Sequence, residues 1–132
     1  MIFVDTSFWV AVRNRRDMHH VEAETLLRGL ADQQLVTSNH VRGETWTYLR
    51  RKAGHRSAVS FLDVLERSER VEVVHAAPDV ERRALAWLRK RDDREYSFVD
   101  ATSFQLMRSL KVRDALAFDG DFTAAGFREL RT

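Results

Sequence analysis

Two aspartates follow short, apolar, β-prone stretches of the chain. Asp5 comes directly after Ile2-Phe3-Val4, and Asp119 comes directly after Ala115-Leu116-Ala117-Phe118. In a parallel sheet such strands end at the carboxyl edge, where α/β proteins bind their ligands. Each aspartate also has a purely structural interpretation, because Asp5 could cap a helix and Asp119 could form a turn with Gly120.

Two further acids are predicted on helices beside apolar positions. Glu44 lies three residues after Val41 and four before Tyr48, and Asp100 lies four residues before Phe104. An acid on an apolar helix face is costly unless a cation meets it. The ordinary interpretations are a capping or surface role for Glu44 and a favourable helix-dipole contact for Asp100.

Together these four acids predict a metal site. Each lies at or shortly after the carboxyl end of a predicted strand, and no Lys or Arg is adjacent to any of them in the sequence. Carboxylates brought within a few ångströms repel one another strongly, and a divalent cation removes that cost. The chain has no cysteine, so an all-oxygen site favours Mg²⁺ or Mn²⁺. Such ions hold phosphates and activate water.

The charge balance agrees with cleavage of a phosphodiester. The net charge is only +2, but removing the four acids would leave a more basic surface, which suits binding of a polyanion around a metal site. Most of the 22 basic residues are arginines, and arginine is well suited to bidentate contacts with phosphate. A GC-rich genome would give the same excess of arginine. Three basic clusters lie near predicted helix ends, where they also complement the helix dipole: Arg13/Arg15/Arg16, Arg50/Arg51/Lys52 and Arg89/Lys90/Arg91.

Alternating strands and helices must position these residues. Strands are predicted at Ile2–Val4, Leu35–Thr37, Val71–Val74 and Ala115–Phe118, with room for one last edge strand near the C-terminus. This order predicts an α/β fold, a three-layer α/β/α sandwich with a mostly parallel central sheet. A chain of 132 residues suits one domain over residues 1–132.

The helices between the strands are predicted from capping residues and apolar spacing. Ser38-Asn39 should cap a helix over residues 40–53, and Asp17 should cap the helix before it. Further helices are predicted over residues 57–67, from Pro78 onwards and over residues 98–110. Apolar runs are only a few residues long, so we expect no membrane span and a cytoplasmic location.

Four acidic segments occur in order along nearly the whole chain: Ile2-Phe3-Val4-Asp5-Thr6-Ser7, Glu44-Thr45, Ser97–Phe104 and Ala117–Phe122. This series resembles the PIN-domain ribonucleases, most closely the VapC toxins of type II toxin–antitoxin modules. The resemblance implies that the four acids (Asp5, Glu44, Asp100 and Asp119) bind Mg²⁺ or Mn²⁺ and activate water for attack on an RNA phosphodiester. It gives Thr6 a supporting role, and it leaves Asp121 to assist the metal or to cap the last helix.

The resemblance also implies partners. VapC-like proteins act on RNA, form homodimers and are inhibited by a cognate VapB-like antitoxin, whose tail fills a groove beside the acidic site. Several apolar residues could line such a groove or belong to the core, namely Phe8, Trp9, Trp46, Tyr48 and Leu49.

Two other classes of α/β protein also place an aspartate after the first strand, but this chain lacks their further residues. A haloacid-dehalogenase-like phosphatase requires a second aspartate two residues after the first, where this chain has Ser7. A receiver domain requires an acidic pair before the first strand and a lysine after the last, and neither is present. The alternative that the residues leave open is a non-catalytic, metal-dependent RNA-binding or interaction module.

Overall fold

Five short parallel strands form the central sheet. A computed structural model describes all residues, 1–132. The sheet order is β3-β2-β1-β4-β5, and every neighbouring pair is parallel. Because β1 lies in the middle, the residue that follows it is at the centre of the carboxyl edge. The strands are β1 Ile2–Val4, β2 Leu35–Ser38, β3 Val71–Val74, β4 Asp114–Leu116 and β5 Arg128–Glu129.

Seven helices connect and cover the strands. Every residue of β1 and β2 is buried, and a strand buried on both faces requires helices on both sides of the sheet. The predicted α/β/α sandwich is therefore confirmed, with a wholly parallel sheet. The helices are α1 Thr6–Arg13, α2 His20–Gly29, α3 Asn39–Lys52, α4 His55–Arg67, α5 Pro78–Lys90, α6 Phe98–Leu110 and α7 Asp121–Ala124. None of them is both long and apolar enough to cross a membrane.

Buried aromatic side chains hold the helices against the sheet. Phe3 of β1 packs near Phe122 of α7, and Phe104 of α6 contacts the same ring at a centroid distance of 5.0 Å. Phe8, Trp9 and Leu49 are also buried. Of the two alternatives left open for these three residues, a groove or the core, the structure places them in the core.

Helix ends follow the predicted caps in most places. Ser38 caps α3, since its Oγ accepts a hydrogen bond from the Val41 N–H at 3.0 Å. Gly54 has a φ of 96°, a left-handed conformation that glycine adopts without strain, and it lets α4 begin at His55, two residues earlier than predicted. Asp17 does not cap α2 directly but accepts a hydrogen bond from the His19 N–H in the preceding turn.

The fourth strand is shorter at its carboxyl end than predicted. β4 ends at Leu116, whose carbonyl accepts a hydrogen bond from the Asp5 N–H at 3.0 Å. Beyond this point β1 has already turned into α1, so no strand is left for residues 117–118 to pair with. The Phe118 N–H instead donates to the side chain of Ser7.

Candidate active site

Asp5 lies at the centre of the carboxyl edge, between β1 and α1. Its side chain is 2% exposed and caps α1. Oδ2 accepts hydrogen bonds from the Ser7 N–H at 3.1 Å and from the Ser7 Oγ at 2.7 Å. All hydrogen bonds of this carboxylate go to Oδ2, so Oδ1 is available to a ligand.

Asp100 lies in the first turn of α6 and is 8% exposed. It forms a reciprocal capping box with Ser97: the Ser97 N–H donates to Asp100 Oδ2 at 3.0 Å, and the Asp100 N–H donates to Ser97 Oγ at 2.9 Å. The same helix buries Phe104 and Met107 completely. The predicted position of Asp100 on an apolar helix face is therefore confirmed.

Asp119 and Asp121 belong to the turn between β4 and α7. Asp119 Oδ1 accepts a hydrogen bond from the Asp121 N–H at 3.1 Å, so Asp119 orders this turn. Asp121 is the first residue of α7 and caps nothing, because the N-cap residue is Gly120. The prediction of Asp121 as a helix cap is thus wrong. Its carboxylate forms an ion pair with Arg94 at 2.9 Å.

Three of these carboxylates are close together. One oxygen from each of Asp100, Asp119 and Asp121 lies within 4.8 Å of the others, a separation at which a metal ion can be shared. Asp5 and Glu44 lie outside this close group, but both line the same open cavity, whose volume is about 490 Å³. The fold therefore collects all the acids that the sequence singled out into one cavity.

Glu44 reaches the cavity from α3 by a different face than predicted. Val41 and Thr45 are buried, whereas Glu44 and Tyr48 are exposed. Tyr48 is 42% exposed and lines the cavity together with Glu44. The prediction that Glu44 lies on an apolar face is wrong, because the face it shares with Tyr48 is directed to the open cavity.

The electrostatics of the cavity favour a cation. Burial raises the pKa of Asp5 to about 8, and the charges of Asp119 and Asp100 add to this effect. Burial also raises the pKa of Asp100 to about 6, with Asp119 and Asp121 contributing. Desolvation in the cavity and the charge of Asp121 raise the pKa of Asp119. None of Asp5, Asp100 and Asp119 forms an ion pair with a basic side chain.

These acids fit a hard divalent cation. A ligand set of carboxylate oxygens is what Mg²⁺ and Mn²⁺ prefer. Placing a dication among them would offset both the burial and the mutual repulsion that raise the pKa values of Asp5 and Asp100.

Sequence reasoning missed Ser7 as a residue of the site. Its Oγ donates to Asp5 Oδ2 and accepts from the Phe118 N–H at 3.0 Å, so it joins the turn after β1 to the loop after β4. Thr6, which was given the supporting role, lines the cavity but its buried Oγ1 has no hydrogen-bond partner. The spacing Asp-x-Ser, typical of local side-chain turns, is the signal that could have identified Ser7.

Comparisons with known proteins define the class. The sequence matches the family model described as PIN domain over residues 2–128, and the chain belongs to the PIN domain family. It is 52% identical over 131 residues to the 23S rRNA-specific endonuclease VapC20 from two strains of Mycobacterium tuberculosis. The matched region covers 99% of this chain and 98% of the relative. The crystal structure of VapC20 from the same species, described as a sarcin–ricin loop cleaving toxin, is 50% identical, with a TM-score of 0.94 over 100% of both chains.

These findings confirm the main functional prediction. The predicted resemblance to PIN-domain ribonucleases and to VapC toxins is correct. The chain is an endoribonuclease of the toxin class, and the alternative of a non-catalytic binding module is not supported.

Proposed function

We propose that this protein cleaves the sarcin–ricin loop of 23S rRNA with the help of Mg²⁺ or Mn²⁺ held by Asp5, Asp100 and Asp119. The observation that carries the proposal is the convergence of carboxylates from separate chain segments in one cavity, without basic partners for these three. The choice of RNA rests on similarity to VapC20 over nearly the full length of both chains.

The chain's own residues have distinct roles in this proposal. Asp5 offers Oδ1 while Ser7 holds Oδ2, and the capping box fixes Asp100. Glu44 lines the same cavity from α3 and completes the acidic quartet, where it orients the attacking water. Bound in this cavity, a divalent cation would neutralise the acids and the scissile phosphate and lower the pKa of water.

Two residues support the quartet. Asp121 belongs to the close group of carboxylates, and Arg94 holds it in place at 2.9 Å. Thr6, the first residue of α1, lines the same cavity directly after Asp5 and supports the site from there.

Family membership supports the remaining parts of the proposal. We propose a homodimer that is inhibited by a VapB-like antitoxin and that acts in the cytoplasm, where ribosomal RNA is found. The common five-stranded sheet supports treating residues 1–132 as one domain.

Cleavage of a synthetic sarcin–ricin loop hairpin tests the proposed function. We expect the protein to cut this RNA at one position with Mg²⁺ or Mn²⁺ and to stop when EDTA is added. Asp5→Asn should lower the rate by more than about 100-fold, beyond what changes around metal ligands usually cost. Gel analysis of end-labelled RNA measures both effects.

A matched variant controls for the change of charge. Asp32→Asn alters an exposed residue away from the cavity and should cleave like the wild type. Tight binding of the hairpin without any cleavage would contradict the proposal. Cleavage that persists in EDTA or in Asp5→Asn would contradict the assigned residues.

A further inference from the structure

A second cleft, with a volume of about 390 Å³, lies where α1 and α3 end. Arg13, Arg15 and Arg16 line it from α1 and the following loop, and Lys52 lines it from the last turn of α3. No acidic side chain lines this cleft. Two basic clusters that are far apart in the sequence are thus joined in the structure. We call this feature the basic cleft.

The four cations of the basic cleft have no carboxylate partner. None of them occurs in an ion pair, and Arg13 donates only to the hydroxyl of Ser60. The helix dipole accounts for the positions of Arg13 and Lys52, because cations are favourable in the last turn of a helix. It does not explain Arg15 and Arg16, because the dipole effect fades beyond the last turn and α1 ends at Arg13.

The basic cleft and the acidic cavity lie along the same face of α3. Glu44, Tyr48 and Lys52 are spaced four residues apart, so they lie on one helix face. The first two line the cavity and the third lines the cleft. From Glu44 to Lys52 the helix rises only about 12 Å, a distance that a few nucleotides of RNA can span.

The loop after α1 makes a second connection between the two features. Arg15 and Arg16 line the basic cleft, whereas Asp17 and His19, a few residues later, line the acidic cavity. A strand of RNA leaving the cavity along either route would meet the same cations.

We propose that the basic cleft binds a backbone phosphate of the substrate RNA a few nucleotides from the bond that is cut. The guanidinium groups of Arg15 and Arg16 suit bidentate contacts to phosphate, and Lys52 adds a point charge. This subsite would hold the strand while the acidic cavity, which itself repels phosphate, receives the scissile group. The inference rests on the proposed RNA-cleaving function and adds a location for substrate binding.

Binding measurements test the subsite without requiring cleavage. In an Asp5→Asn background, fluorescence anisotropy would follow binding of the labelled sarcin–ricin loop hairpin over a range of salt concentrations. We expect Arg15→Ala/Arg16→Ala/Lys52→Ala to weaken binding more than tenfold at low salt. The slope of log K against log salt should fall by about 0.7, the contribution of one phosphate contact on a single strand.

A control with the same change of charge separates a site from general attraction. Arg82→Ala/Arg89→Ala/Lys90→Ala removes three exposed cations from α5, two of them in its last turn, and should change affinity and slope little. Equal losses in both triple variants, or no loss in the first, would overturn the proposal. If the first triple variant binds the RNA hairpin normally but no longer binds a polyglutamate peptide that the unaltered protein binds, the basic cleft binds an acidic protein and not RNA.

Failure of this proposal is distinguishable from failure of the proposed function. Binding is scored in a background that does not cut, whereas the function is scored by cleavage with the unaltered protein. A protein that cuts the hairpin while both triple variants bind it equally retains its function and loses the subsite. If the unaltered protein never cuts the hairpin, but only the first triple variant loses binding, the subsite is supported and the proposed function fails.

Discussion

At the scale of single residues, the acids of the site have a structural role beside the proposed catalytic one. Asp5 caps α1, Asp100 forms a capping box, and Asp119 orders the turn at Asp121. In Asp5 and Asp100 the capping contacts use Oδ2. The capping interpretation and the metal interpretation are therefore compatible, because backbone contacts fix the orientation of the same carboxylates that face the cavity.

Replacing Asp100 by asparagine separates these two roles. We expect Asp100→Asn to abolish cleavage, yet to leave the metal-free protein at pH 7.5 as stable as the wild type or up to about 1 kcal/mol more stable. The amide oxygen can still accept from Ser97, while the negative charge near Asp119 and Asp121 is lost. Urea unfolding in EDTA measures the stability.

The variant Ser97→Ala is the control for the cap, since it removes the hydroxyl and keeps the charge. It should cost about 1 kcal/mol. If Asp100→Asn is destabilised as much as Ser97→Ala, Asp100 acts only as a structural cap.

At the scale of elements, one serine connects the turn that begins α1 to the loop that follows β4. Ser7 contacts both Asp5 and the backbone of Phe118. Ser7→Ala would leave the Phe118 N–H unpaired, so we expect a loss of about 1–2 kcal/mol in the free energy of unfolding. We also expect metal affinity to fall by about tenfold, because Asp5 loses a contact that orients it. Urea unfolding and calorimetric titration with Mn²⁺ provide the two measurements.

The neighbouring hydroxyl offers a matched control. Thr6→Val removes the Thr6 hydroxyl, which has no hydrogen-bond partner, and should not lower stability. Unchanged Mn²⁺ affinity in Ser7→Ala would show that the contact does not position Asp5.

At the scale of the whole molecule, the buried acids make the metal-free protein sensitive to pH. The pKa of Asp5 is about 8 in the folded state, against the ordinary value of 3.8 in the unfolded state. The folded state therefore binds more protons between these values, and the free energy of unfolding falls as pH rises. Asp100 contributes to the lower part of this range, up to about pH 6.

Unfolding experiments in EDTA between pH 4.5 and pH 8.5, a range of about four units around these pKa values, test this dependence. Stability should decrease across the range in the wild type, decrease much less in Asp5→Asn, and recover at high pH when Mn²⁺ is added. The lowered pKa of Asp93, about 2, acts in the opposite direction but only at lower pH. A wild-type stability that rises with pH would contradict the assigned protonation of Asp5.

Local sequence patterns were sufficient to predict the fold class and to pick out the acids that line the cavity. Short apolar stretches define strands through local patterning. Asp5 and Asp119 come directly after two such stretches, so they could be placed at one sheet edge without coordinates. Helix α3 was predicted to within one residue at each end, and its start follows from Ser38, whose side chain is a strong local capping signal.

Which distant groups meet depends on how the helices and loops pack around the sheet. The Arg94–Asp121 ion pair, the contact between Ser7 and Phe118, and the basic cleft each join segments separated by tens of residues. Such contacts depend on how loops leave the sheet and on which helix face is open to solvent, as Glu44 shows. Local patterns record which residues are apolar and where elements end, but the packing of the elements sets the distances between side chains.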